Sequence, residues 1–136
     1  MSNQGTQTRI VLLGLDDALA AELASALAGR EWVVYARPFL SPRECLGVVQ
    51  QVRADLIFCS AERERYLALL EAFAGRKLDL PVVVVSRRPE VSEWLDAIEA
   101  GASDYCASPF EATHLRWILD SVLNHRSAPE LYRAAS

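Results

Sequence analysis

Apolar runs of strand length alternate along the chain with stretches in which apolar residues recur every three or four positions. That is the pattern of repeated βα units around a parallel sheet. Residues 9–14 (RIVLLG) show no polar alternation, as a central strand covered on both faces requires. Asp16 and Asp17 then open a helix with Leu19, Leu23 and Leu27 on one side and Gly29 at its close, and either aspartate can cap its exposed amides. Trp32–Arg37 is a second strand. Ser41-Pro42-Arg43-Glu44 follows as a capping box with proline at the first helical position, predicting a helix to about Val52.

Residues 55–59 (DLIFC) form a third apolar strand ending at Ser60. A helix over 62–74 follows, with Tyr66, Leu69, Leu70 and Phe73 on one face, ending near Gly75. Residues 81–86 (PVVVVS) are β-branched and continuous, which predicts a buried strand. Pro89 begins a fourth helix that carries Trp94, Leu95 and Ile98, and Gly101 stands where a left-handed helix terminus needs it. A short strand over 103–107 leads into Ser108-Pro109-Phe110. The last helix, with Leu115, Ile118, Leu119, Val122 and Leu123 in a stripe, runs to about His125.

Five right-handed βα units give an α/β fold: a flavodoxin-like, doubly wound, five-stranded parallel sheet of order 2-1-3-4-5 in three α/β/α layers. The expected organisation is a disordered tail over 1–8, one domain over 9–125, and a polar tail or linker over 126–136. Such folds place their working site beyond the carboxyl ends of the strands. The residues there are Gly14, Leu15, Asp16, Asp17, Ser60, Ser86, Arg87 and Ser108.

Composition narrows the function classes. A chain of 136 residues, 51% apolar, buries roughly two thirds of its unfolded surface and needs no disulfide or metal staple. A net charge of −4, with no basic stripe, argues against direct nucleic-acid binding. Cys45, Cys59 and Cys106 read as inert buried thiols. The polar N-terminus and the lack of any apolar stretch of roughly 18 residues predict a soluble cytoplasmic protein without membrane contact. His114 and His125 lie on the last helix with no pattern of metal ligands around them.

Residues 97–105 (AIEAGASDY), followed by Ser108-Pro109-Phe110, resemble the closing signature of the receiver domains of two-component response regulators, A-L-x-A-G-A-x-D-Y-x-x-K-P-F. Residues 54–60 (ADLIFCS) fit that family's P-D-L-I-L-L-D strand, and 81–86 fit its P-V-I-V-L-T strand. The resemblance covers roughly residues 9–125. It implies phosphorylation of an aspartate at the end of strand three. Mg²⁺ is held there by that residue and an acidic pair after strand one, while a lysine after strand five and a Ser/Thr after strand four grip the phosphoryl oxygens.

The same resemblance marks departures. The acceptor position falls on Ser60, whose hydroxyl cannot give an acyl phosphate, and the lysine position falls on Ser108, which carries no charge. Without a gap, the acidic-pair positions fall on Gly14 and Leu15, with Asp16 at a third, less critical place. A two-residue slip would make Asp16-Asp17 the pair, at the cost of a bulge in a central strand. Ser86 and Tyr105 keep the family's switch positions, although each also reads as an ordinary strand-end hydroxyl and a half-buried aromatic. Arg87 stands at the mouth of the site, either to fill it, to attract an anion, or as a solvated surface cation. Glu64 and Ala68 replace the proline and glycine of the family's loop, so the third helix is expected to begin early, capped by Ser60; Pro109 stands where the family has a cis bond.

The resemblance therefore implies a degenerate receiver, or pseudo-receiver. It is a non-enzymatic interaction module in two-component or phosphorelay signal transduction, with no cofactor and no tight Mg²⁺ binding expected. Its partner would be a protein, with a homodimer through helix four, strand five and helix five as one form. Trp94, Asp96, Tyr105, Arg116 and Trp117 are the candidate interface, although Trp94 and Trp117 equally fit a core. The alternatives are a working receiver with Mg²⁺-dependent aspartyl phosphorylation at an unrecognised acceptor, and small-anion or ligand binding at the strand ends.

Overall fold

Strands without polar alternation are stable only when both faces are covered, and this chain supplies helices for both. The computed structural model describes residues 7–28, 32–88 and 90–127, the side chains of 124–127 excepted. In chain order the elements are β1 (Thr8–Leu13), α1 (Asp17–Ala26), β2 (Trp32–Arg37), α2 (Pro42–Val52), β3 (Leu56–Ser60), α3 (Arg63–Gly75), β4 (Val82–Ser86), α4 (Val91–Ala100), β5 (Asp104–Ala107) and α5 (Ala112–Ser127). All strand pairings are parallel, in the order β2-β1-β3-β4-β5 expected from the sequence.

Successive strand residues point to opposite faces, so each central strand feeds two cores. Ile10, Leu12, Leu56, Phe58, Val83 and Val85 pack with Leu19 and Leu23 of α1 and with Leu115, Ile118 and Leu119 of α5. Val11, Leu13, Ile57, Cys59, Val82 and Val84 pack with Cys45 and Val49 of α2, Tyr66, Leu69 and Phe73 of α3, and Ala97 of α4. This division makes the three layers.

Caps follow the sequence closely. Asp16 caps α1 by accepting from the Leu19 amide at 2.9 Å, and Ser41 caps α2 by accepting from the Glu44 amide at 3.2 Å, with Pro42 next. Gly101 ends α4 at φ +116°, where a Cβ would be strained. Other expectations need correction. Thr8, assigned to the N-terminal tail, begins β1 and pairs with Trp32; the rest of the expected 1–8 tail, residues 1–6, lies outside the described residues. At the other end α5 continues through Ser127, so residues 126 and 127, assigned to the C-terminal tail, are helical, and residues 128–136 lie outside the described part.

The first helix stops at Ala26, capped by the Leu27 amide on the Leu23 carbonyl; Gly29 lies outside the described residues. Likewise α4 starts at Val91, and Pro89 is not described. Ser60 does not cap the third helix: β3 extends through it, and Glu62 takes the cap position without a side-chain bond. For α4, of whose Trp94 both a core and an interface place were open, the structure decides for the surface. The apolar side of this helix is not its packing side: only Ala97 is buried, whereas Trp94, Leu95 and Ile98 are exposed. Among the described residues no helix is long and apolar enough to cross a membrane.

Phe58 is fully buried and Trp117 is 62% exposed. Phe58→Ala is expected to lower unfolding free energy by about 3–5 kcal/mol and Trp117→Ala by no more than about 0.5 kcal/mol. Urea unfolding curves check the contrast, and equal losses would refute this division of core and surface. The thiols give a second expectation. Burial pushes Cys59 and Cys106 up to about 12 and Cys45 to about 11, from 9.0. The stabilisation from keeping them protonated is complete below pH 9 and fades as pH rises toward those values. A thiol-specific chromogenic reagent at neutral pH should label none of the three until denaturant is added, and fast native labelling would disprove their burial.

Candidate functional site

The register of the sheet brings the carboxyl ends of β1, β3 and β4 to one edge: Leu13 lies beside Cys59, and Ser60 beside Val85. Gly14, Ser60 and Ser86 therefore meet there, in a cleft of about 730 Å³. The β2–α2 loop with Phe39, the start of α3 with Arg65, and the β4–α4 loop with Arg87 close its rim.

Gly14 leaves β1 at φ +75°, and its amide donates to the Arg37 carbonyl at 3.0 Å. A side chain has no room here. An ideal Cβ would stand 2.9 Å from Cβ of Phe39 and 3.0 Å from Nη1 of Arg65. Both the backbone angle and the space select glycine. That guanidinium donates to the Gly14 carbonyl at 3.2 Å, pairs through Nε with Glu62 at 3.0 Å, and lies over the Phe39 ring at 5.6 Å. A cation of the protein's own thus occupies the space beside the strand end. Leu15 lines the cleft and is partly buried against the α1/α5 core. Through Leu13, β1 pairs with both neighbours without a bulge, so Asp16 and Asp17 lie beyond the strand, at the start of α1.

Besides capping α1, Asp16 pairs with Arg87, joining the β4–α4 loop to the first helix. The Leu19 amide, and then the Arg87 guanidinium, hold the Asp16 carboxyl below its usual range. Asp17 is exposed in the first turn of α1. Ser60 is 8% exposed, and its buried hydroxyl has no hydrogen-bond partner among the described residues.

Ser86 and Tyr105 form a small network. The Ser86 hydroxyl donates to the Arg88 carbonyl at 2.9 Å and accepts from the Arg88 amide at 3.1 Å. The Tyr105 hydroxyl lies 2.8 Å from a Glu93 carboxylate oxygen and 3.2 Å from the same Arg88 carbonyl. Partial burial raises the Tyr105 phenol above its ordinary value. Ser108 follows β5, and its hydroxyl donates to the Glu22 carboxylate of α1 at 2.9 Å; the Ser108–Pro109 bond is cis. Ser108 is thereby turned to α1.

The five candidate interface residues have different surroundings. Trp94 and Tyr105 line a common groove, and Trp117 is exposed on α5. Asp96 lies 3.8 Å from Arg63 of α3, and Arg116 stacks over the Trp32 ring at 5.4 Å. Arg65, Phe39 and Glu22 are functional neighbours that sequence reasoning did not single out. Arg65 sits in the run Arg63-Glu64-Arg65, which reads as a solvated helix face.

The positive charge in the cleft is compensated from within. Asp16, Glu62 and Glu93 face Arg65 and Arg87, and each arginine has its own carboxylate. Among the described residues there is no group of three histidine, cysteine, aspartate or glutamate side chains placed to hold a metal ion.

No protein-family model matches the chain, and no curated protein matches it. Solved structures do. The chain is similar to a CheY-like protein, tadZ, from Pseudomonas aeruginosa PAO1 (TM-score 0.71, 23% identity, covering 85% of this chain and 99% of that one). It is similar to a two-component response regulator from Clostridium difficile (TM-score 0.67, 20% identity, 90% and 100% covered). The signal receiver domain of an HD domain-containing protein from Pseudomonas fluorescens Pf-5 is a third (TM-score 0.71, 17% identity, 90% and 98% covered). At these identities the likeness establishes the fold, that of CheY-like receivers, across nearly the full length of each.

The two causes acting on Asp16 can be separated. In a carboxyl-detected NMR titration Asp16 should titrate below 3.8, and Arg87→Ala should raise it only part of the way back, because the Leu19 amide is the larger influence. Since the folded value is depressed, the stabilisation is present above the unfolded value and is lost as pH falls through the folded one. Complete reversion in Arg87→Ala would show that the cap contributes nothing.

Proposed function

We propose that this chain is a receiver-like domain of a two-component or phosphorelay pathway that acts as a protein-interaction module, with output independent of aspartyl phosphorylation. One observation carries the reading. Gly14 stands at the strand end where the resemblance implies a metal-binding carboxylate; its φ of +75° and the approach of Phe39 Cβ select glycine there, and the Arg65 guanidinium donates to its carbonyl. Phosphoryl transfer in this family depends on a divalent cation to neutralise charge on the incoming group. Here a fixed monovalent cation stands beside the strand end and is already paired with Glu62.

The donors around the cleft do not fit Mg²⁺. A hard cation asks for several oxygen ligands in near-octahedral geometry, whereas Ser60 offers a neutral hydroxyl, Gly14 no side chain, and Asp16 a carboxylate engaged by Leu19 and Arg87. We read Mg²⁺ binding here as weak, and the domain as a binding module rather than an enzyme. The anion reading is disfavoured for a related reason: both arginines are matched by carboxylates, so an incoming anion meets no free positive charge.

Ser86, Arg88, Tyr105 and Glu93 already form a closed network without a phosphoryl group. That network supports the reading of an output surface arranged without phosphorylation.

Incubation with acetyl phosphate and Mg²⁺, followed by intact-mass measurement, should show no phosphoryl adduct, and beryllofluoride should leave tryptophan emission unchanged. Ser60→Asp should remain unphosphorylated as well, because Gly14 still supplies no second carboxylate and the Arg65 cation stays beside the strand end. An adduct on the wild-type chain would overturn the proposal, and one on the variant would remove Arg65 as the obstacle.

A further inference from the structure

The fourth helix presents an apolar side to water. Val91, Trp94, Leu95 and Ile98 follow the i, i+3, i+4, i+7 spacing of a buried stripe, yet they are 68%, 44%, 49% and 39% exposed. A contiguous stripe of this kind is the mark of an interaction site rather than of scattered surface residues. Beside it, between α4, β5 and α5, runs a groove of about 310 Å³. Its walls are Val91, Trp94 and Tyr105, and its polar groups are Glu90, Asp104 and His114.

Charge decides what fits there. Aromatic walls with carboxylates alongside suit a guanidinium or ammonium group, which gains from the ring faces and from the ion pair together. With its cap, α4 carries Glu90, Glu93, Asp96 and Glu99 and no lysine or arginine. Asp96 is matched by Arg63, and Glu93 is engaged by Tyr105, which leaves Glu90 and Glu99 on the exposed side of the helix. A second copy of this chain is a poor occupant. Two-fold pairing places the same patch on itself, so these carboxylates would face one another with His114 as the only basic group among the groove's lining residues.

We infer that this face docks a basic amphipathic helix from a protein partner. The apolar side of that helix covers Val91, Leu95 and Ile98, while an arginine or lysine enters the groove against Trp94 and Tyr105, beside Glu90 and Asp104. The inference rests on the interaction-module reading and names the chemistry of its partner.

A display library of short helical peptides, with a fixed apolar stripe and randomised polar positions, tests it against the full chain. Recovered binders should be enriched in arginine and lysine over aspartate and glutamate. Their affinity should fall about tenfold or more in Trp94→Ala and in the double charge reversal Glu90→Lys with Asp104→Lys. Circular dichroism and urea melts of each variant separate lost binding from lost folding. Recovery of neutral or acidic peptides, of binders indifferent to these substitutions, or of none at all overturns the inference. So does a concentration-dependent dimer that Leu95→Glu abolishes, which would assign the face to a second copy.

Repeating the binding after treatment with acetyl phosphate and Mg²⁺ keeps the two ideas apart. Binding that requires a phosphoryl adduct retains this docking site and sinks the phosphorylation-independent reading. Absence of both binding and adduct sinks only the docking site.

Discussion

A parallel sheet covered on both faces imposes its geometry on everything else in this molecule. Because alternate residues of β1, β3 and β4 supply the two cores, most of the apolar burial lies within the strands and the helix faces directly above them. The strand ends take little part in that burial, yet the pairing register brings Gly14, Ser60 and Ser86 together regardless of what they carry. Stability and site chemistry are therefore separable by position. Position 60, at the end of β3, carries a hydroxyl at 8% exposure, whereas a polar group one residue earlier, at fully buried Cys59, would lie inside the core.

What occupies the strand ends here is a self-satisfied arrangement of charge. Reactive sites commonly hold charge short of its partner, ready for a substrate or transition state to complete. In and around this cleft the completion is internal: Arg65 with Glu62, Arg87 with Asp16, and Glu93 with the Tyr105 hydroxyl, while Ser108 is turned away to Glu22 of α1. Among the described residues the Ser60 hydroxyl is the one buried side-chain polar group without a hydrogen-bond partner. Gly14 belongs to the same arrangement, since its positive φ and the close approach of Phe39 and Arg65 make its lack of a side chain a requirement.

The sequence made the strands legible because an uninterrupted apolar run has few other uses in a chain of this size; residues 81–86 announce β4 without any structural help. Helix caps were legible for the same local reason, as Asp16 and Ser41 show. The orientation of α4 was not. Helical periodicity says that Val91, Trp94, Leu95 and Ile98 share a side, but whether that side meets the sheet depends on how the helix is rolled, which the period does not encode. Site residues divide along the same line. Gly14, Ser60 and Ser86 could be placed because strand ends fall where the register puts them, while Arg65, Phe39 and Glu22 arrive from helices and loops whose reach is decided in three dimensions.

The cleft and the exposed face of α4 are joined by a short connection. Arg87 pairs with Asp16, the neighbouring Arg88 carbonyl meets the Ser86 and Tyr105 hydroxyls, and Tyr105 reaches Glu93 on α4 while its ring lines the groove beside Trp94. A route from the strand ends to the outer surface thus exists in covalent and hydrogen-bonded terms. Its weakest link sets what can travel along it. The Asp16–Arg87 pair is half exposed on both sides, and such pairs are screened by salt and contribute little to a conformational balance. Breaking it therefore shifts the placement of α4 only slightly. Large control of the α4 face would demand a stronger charge change at the strand ends than the Asp16–Arg87 pair supplies.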